Sequence, residues 1–305
     1  MNGVVITIGN FDGVHRGHQQ IIGETIRQAR SLGCEAVALT FRPHPQSVLR
    51  PDRAPELLLT YDEKREVLLS IGLARVIEQP FDLEFSKTSP SDFFSEVLRS
   101  RLKARAVVVG YDFTFGKERT GHLQVLQGLC DAAQVRLTVV APQRLDQEVI
   151  SSSVIRQTLK LGQVQEAAKL MGRPFFYQGL VNRGEKRGRK LGFPTANLAL
   201  GEKLVLPAGV YASCSQVRGQ EYASVTHVGT RPTFGSGLEL LAETHLLEGF
   251  WQADSLYGES LRVDLIDRIR DEIKFETGES LRSQISQDVE SARQKIGDYR
   301  KSLLL

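Results

Sequence analysis

The chain has 305 residues, of which 41% are hydrophobic and 25% charged, with a net charge of +3. At roughly 150 residues per domain this length suggests two domains, and the balance excludes a disordered, collagenous or coiled-coil chain. No apolar run approaches the roughly 18 residues of a membrane span, and so small a charge does not argue for nucleic acid, although it suits a protein that handles small anions.

The first half alternates strand and helix patterns. Val4-Ile8 is a short apolar run followed by Gly9, and a helix is expected from about His18 to Leu32, ended by Gly33 as a left-handed cap. Glu35-Phe41 reads as the next strand. Thr60-Tyr61-Asp62-Glu63 is a capping box opening a helix to about Ile71, stopped by Gly72. Arg75-Glu78 is a short strand, and Ser89-Pro90 opens a helix through Leu102 with proline at its first position. Ala106-Gly110 is a buried strand, followed by a helix from about Gly121 to Ala133 and a strand over Arg136-Ala141. Repeated β-α-β units predict a mostly parallel sheet covered on both faces, a doubly wound α/β domain.

Gln163-Met171 reads as a last or linking helix, and Arg173-Pro174 is a natural break, giving domains 1–173 and 174–305. Beyond it, Phe176-Val181, Val210-Val217, Tyr222-Val228, Leu240-Leu247 and Leu261-Asp267 alternate as strands, with Arg218-Gly219-Gln220 as a hairpin turn. This predicts a small antiparallel barrel or sandwich. Leu281, Ile285, Val289, Ala292 and Ile296 share one face of a terminal helix. Cys34, Cys130 and Cys214 are scattered and form no CxxC, so they read as free thiols in a reducing compartment, with no zinc site. Met1-Asn2-Gly3-Val4-Val5 has neither a basic region nor a long apolar run, so no signal peptide is expected and the location reads as cytoplasmic.

The strongest local signal is Gly9-Asn10-Phe11-Asp12-Gly13-Val14-His15-Arg16-Gly17-His18, between a strand and a helix. Ligands of doubly wound sheets bind at the carboxyl ends of the strands. Gly9, Gly13 and Gly17 let backbone approach a phosphate, and the helix N-terminus supplies unpaired N–H groups and a positive dipole end. His15 and His18 can both face that anion and donate to charge developing on a phosphate. A plain strand-to-helix turn with polar caps is the competing reading. The spacing matches neither a Walker loop nor a zinc protease. Thr40-Phe41-Arg42-Pro43-His44-Pro45 and Gly110-Tyr111-Asp112-Phe113-Thr114-Phe115-Gly116 also follow predicted strands, and the second sets aromatics around a hydroxyl and an acid, suited to a planar ring or to core packing.

A second signal runs from Gly184 to Asn197. Arg183, Lys186, Arg187, Arg189 and Lys190 make it the densest basic segment, and its glycines permit a flap over an anion. A solvated basic hairpin or a nucleic-acid patch are the competing readings. Thr195 and Asn197, two residues apart on a strand, put a hydroxyl and an amide oxygen on one face, a donor set that suits Mg²⁺ bridging substrate phosphates.

The first run resembles the G-x-F-D-x-x-H-x-G-H signature of nucleotidyltransferases, and Ile150-Ser151-Ser152-Ser153-Val154-Ile155-Arg156 resembles their I-S-S-T-x-x-R signature, with Ser153 in place of threonine. Hydroxyl residues there cap a helix and can bind phosphate oxygens, and Arg156, one turn in, can clamp the same triphosphate. The second segment resembles the G-x-x-x-G-x-P-T-A-N motif of riboflavin kinases, and the likeness continues through Gly229-Thr230-Arg231-Pro232-Thr233-Phe234, Glu243-Thr244-His245, Leu256-Tyr257-Gly258 and Arg270-Asp271-Glu272-Ile273-Lys274-Phe275. In this order over nearly the whole chain, the motifs resemble the bacterial bifunctional riboflavin kinase/FAD synthetases. His122 stands where that family commonly has Asp, and Thr226-His227 where it often has Ala-Asn.

The resemblance implies a Rossmann-like nucleotidyltransferase domain and an antiparallel β-barrel kinase domain with a terminal helix. It implies phosphorylation of riboflavin by ATP to FMN, then AMP transfer from ATP to FMN to give FAD and pyrophosphate, with Mg²⁺ as the metal. The implied catalytic residues are His15, His18, Arg156 and Glu243, the last as base for the kinase. ATP in the adenylyltransferase falls to Gly9, Asn10, Phe11, Asp12, Gly13, Gly17, Ser152 and Ser153, and flavin to His44, Asp112 and Phe113. In the kinase, phosphate falls to Gly184, Lys186, Gly188, Lys190, Gly192 and Pro194, flavin to Arg270 and Phe275, and metal to Thr195 and Asn197. No nucleic acid, membrane or obligate protein partner is expected. A chain with one degenerate half, or a non-catalytic flavin-binding protein, remain the alternatives; retention of His15, His18, Arg156, Thr195, Asn197 and Glu243 speaks against both.

Overall fold

A computed structural model describes residues 3–183, 188, 191–232, 238–248 and 253–303. The chain forms two compact units, Met1–Ser152 and Ser153–Leu305.

In the first unit the elements are β1 (Val4–Ile8), α1 (Arg16–Leu32), β2 (Glu35–Arg42), α2 (Pro45–Leu49), α3 (Tyr61–Ser70), β3 (Arg75–Pro80), α4 (Pro90–Asp92) running into a π-helical stretch Phe93–Arg101, β4 (Ala104–Gly110), α5 (Leu123–Ala132), β5 (Arg136–Val140) and the small hairpin β6 (Arg144–Leu145) with β7 (Glu148–Val149). The five main strands run parallel in the order β3-β2-β1-β4-β5. All five residues of β1 are buried, as a central strand with both faces covered requires. Ile6, Val37, Leu39, Val107, Leu98 and Leu126 share one core cluster. Gly33 caps α1 at φ 60°, and the Thr60–Glu63 capping box is formed.

Sequence patterning located these elements, with three additions. α2 and the β6–β7 hairpin are too short to show a period. The helix opened by Ser89 widens after Asp92, and that winding buries Phe93, Phe94, Val97 and Leu98. The switch in strand order falls between β1 and β4, so the crevice at their carboxyl ends is where a ligand of such a sheet sits.

At the division, α6 (Ser152–Lys160) is followed in the second unit by α7 (Val164–Met171), β8 (Phe175–Leu180), β9 (Ala196–Ala199), β10 (Gly209–Val217), β11 (Gln220–Pro232), β12 (Leu238–Leu246), β13 (Ser260–Asp271) and α8 (Gly278–Ser302). Six strands form one antiparallel sheet in the order β8-β13-β10-β11-β12-β9. Just past β8, the Asn182 amide donates to the Asn197 carbonyl of β9 at 2.9 Å, an antiparallel bridge between the sheet's two edges. That contact curls the sheet into a barrel and removes the sandwich alternative. The β10–β11 turn is Arg218-Gly219, both at positive φ, while Gln220 already pairs with Val217.

Alternation along these strands separates two faces. One carries Ser213, Ser215, Ser224, Thr226 and Thr244, buried and joined hydroxyl to hydroxyl at 2.7–3.0 Å. The other carries Val210, Ala212, Cys214, Ala223 and Val225, packed on Ala292 and Ile296 of α8. Burial on α8 is concentrated in its later turns: Asp288, Ala292 and Ile296 are buried, whereas Leu281 and Ile285 are half-buried.

Candidate active sites

The loop after β1 is held in a shape that its sequence would not adopt alone. Phe11 and Val14, neither of them glycine, have φ of 50° and 40°. Such residues persist in the left-handed region only where surroundings over-determine them. Gly13 has φ 78°, and a Cβ there would stand 2.7 Å from the Leu58 side chain. The Asp12 carboxylate is buried and accepts the backbone amides of Leu58 and Leu59 at 3.0–3.3 Å. Asp12 thus clamps the loop instead of presenting its charge to a phosphate. The Ser152 hydroxyl donates to the Asp12 carbonyl at 2.9 Å, which brings the start of the serine motif to the glycine loop.

His15 is the N-cap of α1. Its Nδ1 accepts the His18 amide at a long 3.4 Å, which places the proton of a neutral ring on Nε2. The two imidazoles stack with centroids 3.6 Å apart and planes at 19°, and Phe11 meets His18 edge-on at 5.3 Å. A Cβ on Gly17 would come within 3.2 Å of the His15 ring, so glycine there permits the stack. No acidic residue occupies the first turn of α1, leaving its positive end to attract an anion. Ser153 is exposed and Arg156 half-buried, one turn along α6.

His44 is nearly buried. Its Nδ1 accepts the Gln46 amide at 3.2 Å as the cap of α2, and its own amide donates to the Tyr61 hydroxyl at 2.8 Å. Asp112 is exposed beside the crevice after β4. Phe113 is half-buried and stacks on Phe115 at 5.5 Å, in a chain of rings continuing through Phe93, Phe85, Phe81 and Phe41. These ring contacts bear on the packing reading of the stretch.

In the barrel, Gly184, Lys186 and Lys190 lie outside the described residues, as do Thr233 and Phe234. Gly188 accepts the Phe193 amide at 2.9 Å, and a Cβ on Gly188 would stand 2.3 Å from the Phe193 carbonyl, so no other residue fits that turn. Gly192 has φ 91°. Pro194 offers its carbonyl to His245 Nδ1 at 2.8 Å, and the Phe193 ring meets His245 edge-on at 5.4 Å. Burial holds the His245 ring below its ordinary value, the carbonyl contact pulls back, and Arg293 adds to the lowering. A neutral ring with Nδ1–H donating therefore pins the Pro194-Thr195 segment.

Thr195 lies one residue before β9, half-buried, and Asn197 is buried within it. Asn197 pairs with Glu243 of β12, which pairs on its other side with His227 of β11. Directly opposed residues share a face, so Asn197, Glu243 and His227 form a row on the face that packs on α8, opposite to the hydroxyl ladder. Glu243 therefore stands on the opposite face of β12 from Thr244 of the ladder. Among the described residues, no donor reaches the buried Asn197 Oδ1 and no hydrogen bond is made by the half-buried Glu243 carboxylate.

Arg270 makes a bidentate pair with the buried Asp288 of α8 at 2.7–3.1 Å and donates to the Asp271 carbonyl. It stands 5.9 Å from the half-buried Phe275 ring. Its guanidinium therefore ties β13 to α8, a partner that lay 18 residues away in sequence with no local signal. Equally illegible were the Leu58 and Leu59 amides under Asp12 and the buried Lys64 of α3; only the Thr60–Glu63 capping box, which sets the helix start, hints at which way Lys64 points.

The FAD synthetase family model matches residues 1–154 and the riboflavin kinase family model residues 171–296. The bifunctional riboflavin kinase/FMN adenylyltransferase of Bacillus subtilis is 35% identical over 97% of this chain and 94% of its own length. That of Escherichia coli K12 is 34% identical over 97% and 93%. The chain belongs to this family. It is a bifunctional enzyme, a riboflavin kinase and FMN adenylyltransferase, with its two activities on the two domain matches. A solved structure from Streptococcus pneumoniae, described as a macrolide-efflux protein, has the same fold, with a TM-score of 0.86 and 31% identity over 96% of this chain and 95% of that one. Among the described residues of the present enzyme, no helix is long and apolar enough to cross a membrane.

Proposed function

We propose that the kinase half supplies FMN to the adenylyltransferase half through the residues described above, and that each half works by alignment and charge stabilisation without a covalent intermediate. In the first, a primary alcohol of riboflavin attacks the γ-phosphorus of ATP, its proton passes to Glu243, and ADP leaves. The observation that carries this reading is the Glu243 carboxylate, without a hydrogen-bond partner among the described residues and directly opposite the buried Asn197. A buried amide oxygen lacking a donor, with a hydroxyl two residues before it and a carboxylate across from it, fits a hard cation. Thr195 and Asn197 would hold Mg²⁺, which when bound neutralises ATP phosphate charge. His245 keeps Pro194-Thr195 in place for that purpose, and the phosphates fall to Gly184, Lys186, Gly188, Lys190 and Gly192 of the basic segment.

In the second, an FMN phosphate oxygen attacks the α-phosphorus of ATP and pyrophosphate leaves. His15 and His18, stacked at the N-terminus of α1, stabilise the charge that develops on the phosphates, and Ser152, Ser153 and Arg156 hold the triphosphate. Asp112 and the Phe113 edge face the flavin, while His44 and Arg270 support the two sites through α2 and α8. The domain boundary falls at about Arg173-Pro174, where the barrel strands begin. The reaction needs no nucleic acid, membrane or protein partner and suits the cytoplasm. Product analysis from riboflavin, ATP and Mg²⁺ tests the whole reading: FAD is expected. FMN alone would mean an idle adenylyltransferase, and no product would favour a flavin-binding protein.

A further inference from the structure

Beneath the Gly9–Val14 loop lies a lysine that the reaction scheme does not use. Lys64 Nζ is buried and donates to the Asn10 carbonyl at 3.2 Å and to Thr40 Oγ1 at 3.0 Å, while Thr40 Oγ1 itself donates to the same carbonyl at 3.2 Å. Asn10 immediately precedes Phe11, the first positive-φ residue of the loop. Facing the ammonium are the Asp12 carboxylate from the loop, Glu78 from β3, Arg42 from β2 and, on α3 itself, the Tyr61 ring at 5.1 Å. An ammonium ion makes stronger hydrogen bonds than a neutral amine and offsets a buried carboxylate nearby.

We propose that Lys64 is a positioning residue for AMP transfer: as a cation it fixes the Asn10 carbonyl and balances Asp12, holding the strained loop in the shape that presents His15, His18 and the α1 N-terminus. This rests on the reading that the loop over residues 9–18 is the adenylyltransferase site. The hydrogen bonds of Lys64 go to Asn10 and Thr40, so it acts through the loop. Desolvation lowers its ammonium to about 8, against the support of Asp12 and Glu78 and with the opposition of Arg42. The cation is therefore lost as pH rises through that value, well before an exposed lysine would titrate. Adenylylation should decline over the same range, whereas a lysine that served only packing would impose no such limb.

The test uses the full chain with ATP and Mg²⁺, supplied FMN for one half-reaction and riboflavin for the other, from about pH 7 to about pH 9.5. Wild-type kcat for FAD formation should fall with a midpoint near pH 8, with the KM for FMN little changed. Lys64→Met should lower that kcat about ten- to a hundredfold near pH 7, the scale of a misplaced catalytic group, and abolish the limb. Lys64→Arg, a cation throughout, should keep most of the activity and move the limb upward; kinase turnover serves as the internal reference. A wild-type adenylylation rate flat across the range, or a folded Lys64→Met with the wild-type kcat and limb, overturns the proposal. If neither variant folds by circular dichroism, the wild-type profile relative to the kinase decides alone. His15→Ala separates the two levels: unimpaired FAD formation by that variant removes the loop reading itself, whereas its loss beside a normal Lys64→Met removes only Lys64.

Discussion

At the end of β1, the candidate nucleotide loop is built from backbone. Two non-glycine residues sit at positive φ, and Asp12, Ser152 and Lys64 anchor the loop from beneath. In the barrel, the corresponding polar atoms are side-chain oxygens on regular strands, Asn197 Oδ1 and the Glu243 carboxylate, without partners among the described residues. Under the proposed function, the difference follows from what each half would meet. An anion is met by N–H groups, which only an irregular loop and a helix end expose, so the structure invests in anchors. A cation and a proton are met by oxygens, which a strand can carry without departing from regular geometry.

The strongest way to break this comparison is at the histidines. His15→Ala with His18→Ala should abolish conversion of FMN to FAD, each donor contributing about 10²–10³ in rate, while FMN formation from riboflavin stays intact. A double variant that still makes FAD at the normal rate would take both rings out of the mechanism. In the barrel, Glu243→Gln keeps size and hydrogen bonding but removes the basicity. Kinase turnover should drop about 10²–10⁴-fold, with little change in Mg-ATP binding and none in the use of supplied FMN. Loss of both half-reactions would instead point to misfolding.

Arg270 sharpens the comparison on stability. Arg270→Met leaves Asp288 buried without its guanidinium, and removal of one partner of a buried pair costs about 3–5 kcal/mol. Denaturant unfolding of the barrel should show that loss. A large rise in the KM for riboflavin with unchanged stability would instead make Arg270 the flavin contact that the family resemblance implies. Asn197→Ala should raise the Mg²⁺ concentration needed for kinase activity about ten- to a hundredfold, with the adenylyl step as internal control. An unaltered Mg²⁺ requirement would place the metal elsewhere.

The smallest effect concerns acid. Because burial holds His245 below its unfolded value of 6.5, the unfolded chain binds the proton first as pH falls. The contribution is fully present above the unfolded value and declines below it. Thermal melts of the barrel should therefore lose less stability on going from neutral to acid pH in His245→Asn than in wild type. Equal slopes would mean that His245 is not held neutral by its surroundings.

Sequence alone determined the class of each half, because period-2 and period-3.6 hydrophobicity are local properties. Val4–Ile8, the Gly33 stop and the Thr60–Glu63 box all stand where pattern and cap chemistry put them. It also nominated both candidate sites, since Gly9–His18 and Pro194–Asn197 concentrate their residue types in a few consecutive positions. Tertiary structure alone decided how those residues are used. That Asp12 turns to the Leu58 and Leu59 amides, that Arg270 turns to Asp288, and that Glu243 stands across from Asn197 on the α8 face all depend on partners distant in the chain. Closure of the barrel was equally beyond local pattern, because one bridge from Asn182 to Asn197 joins its edges. Periodicity reports which side of an element is buried; it carries no information on which distant donor or charge a polar side chain will find there.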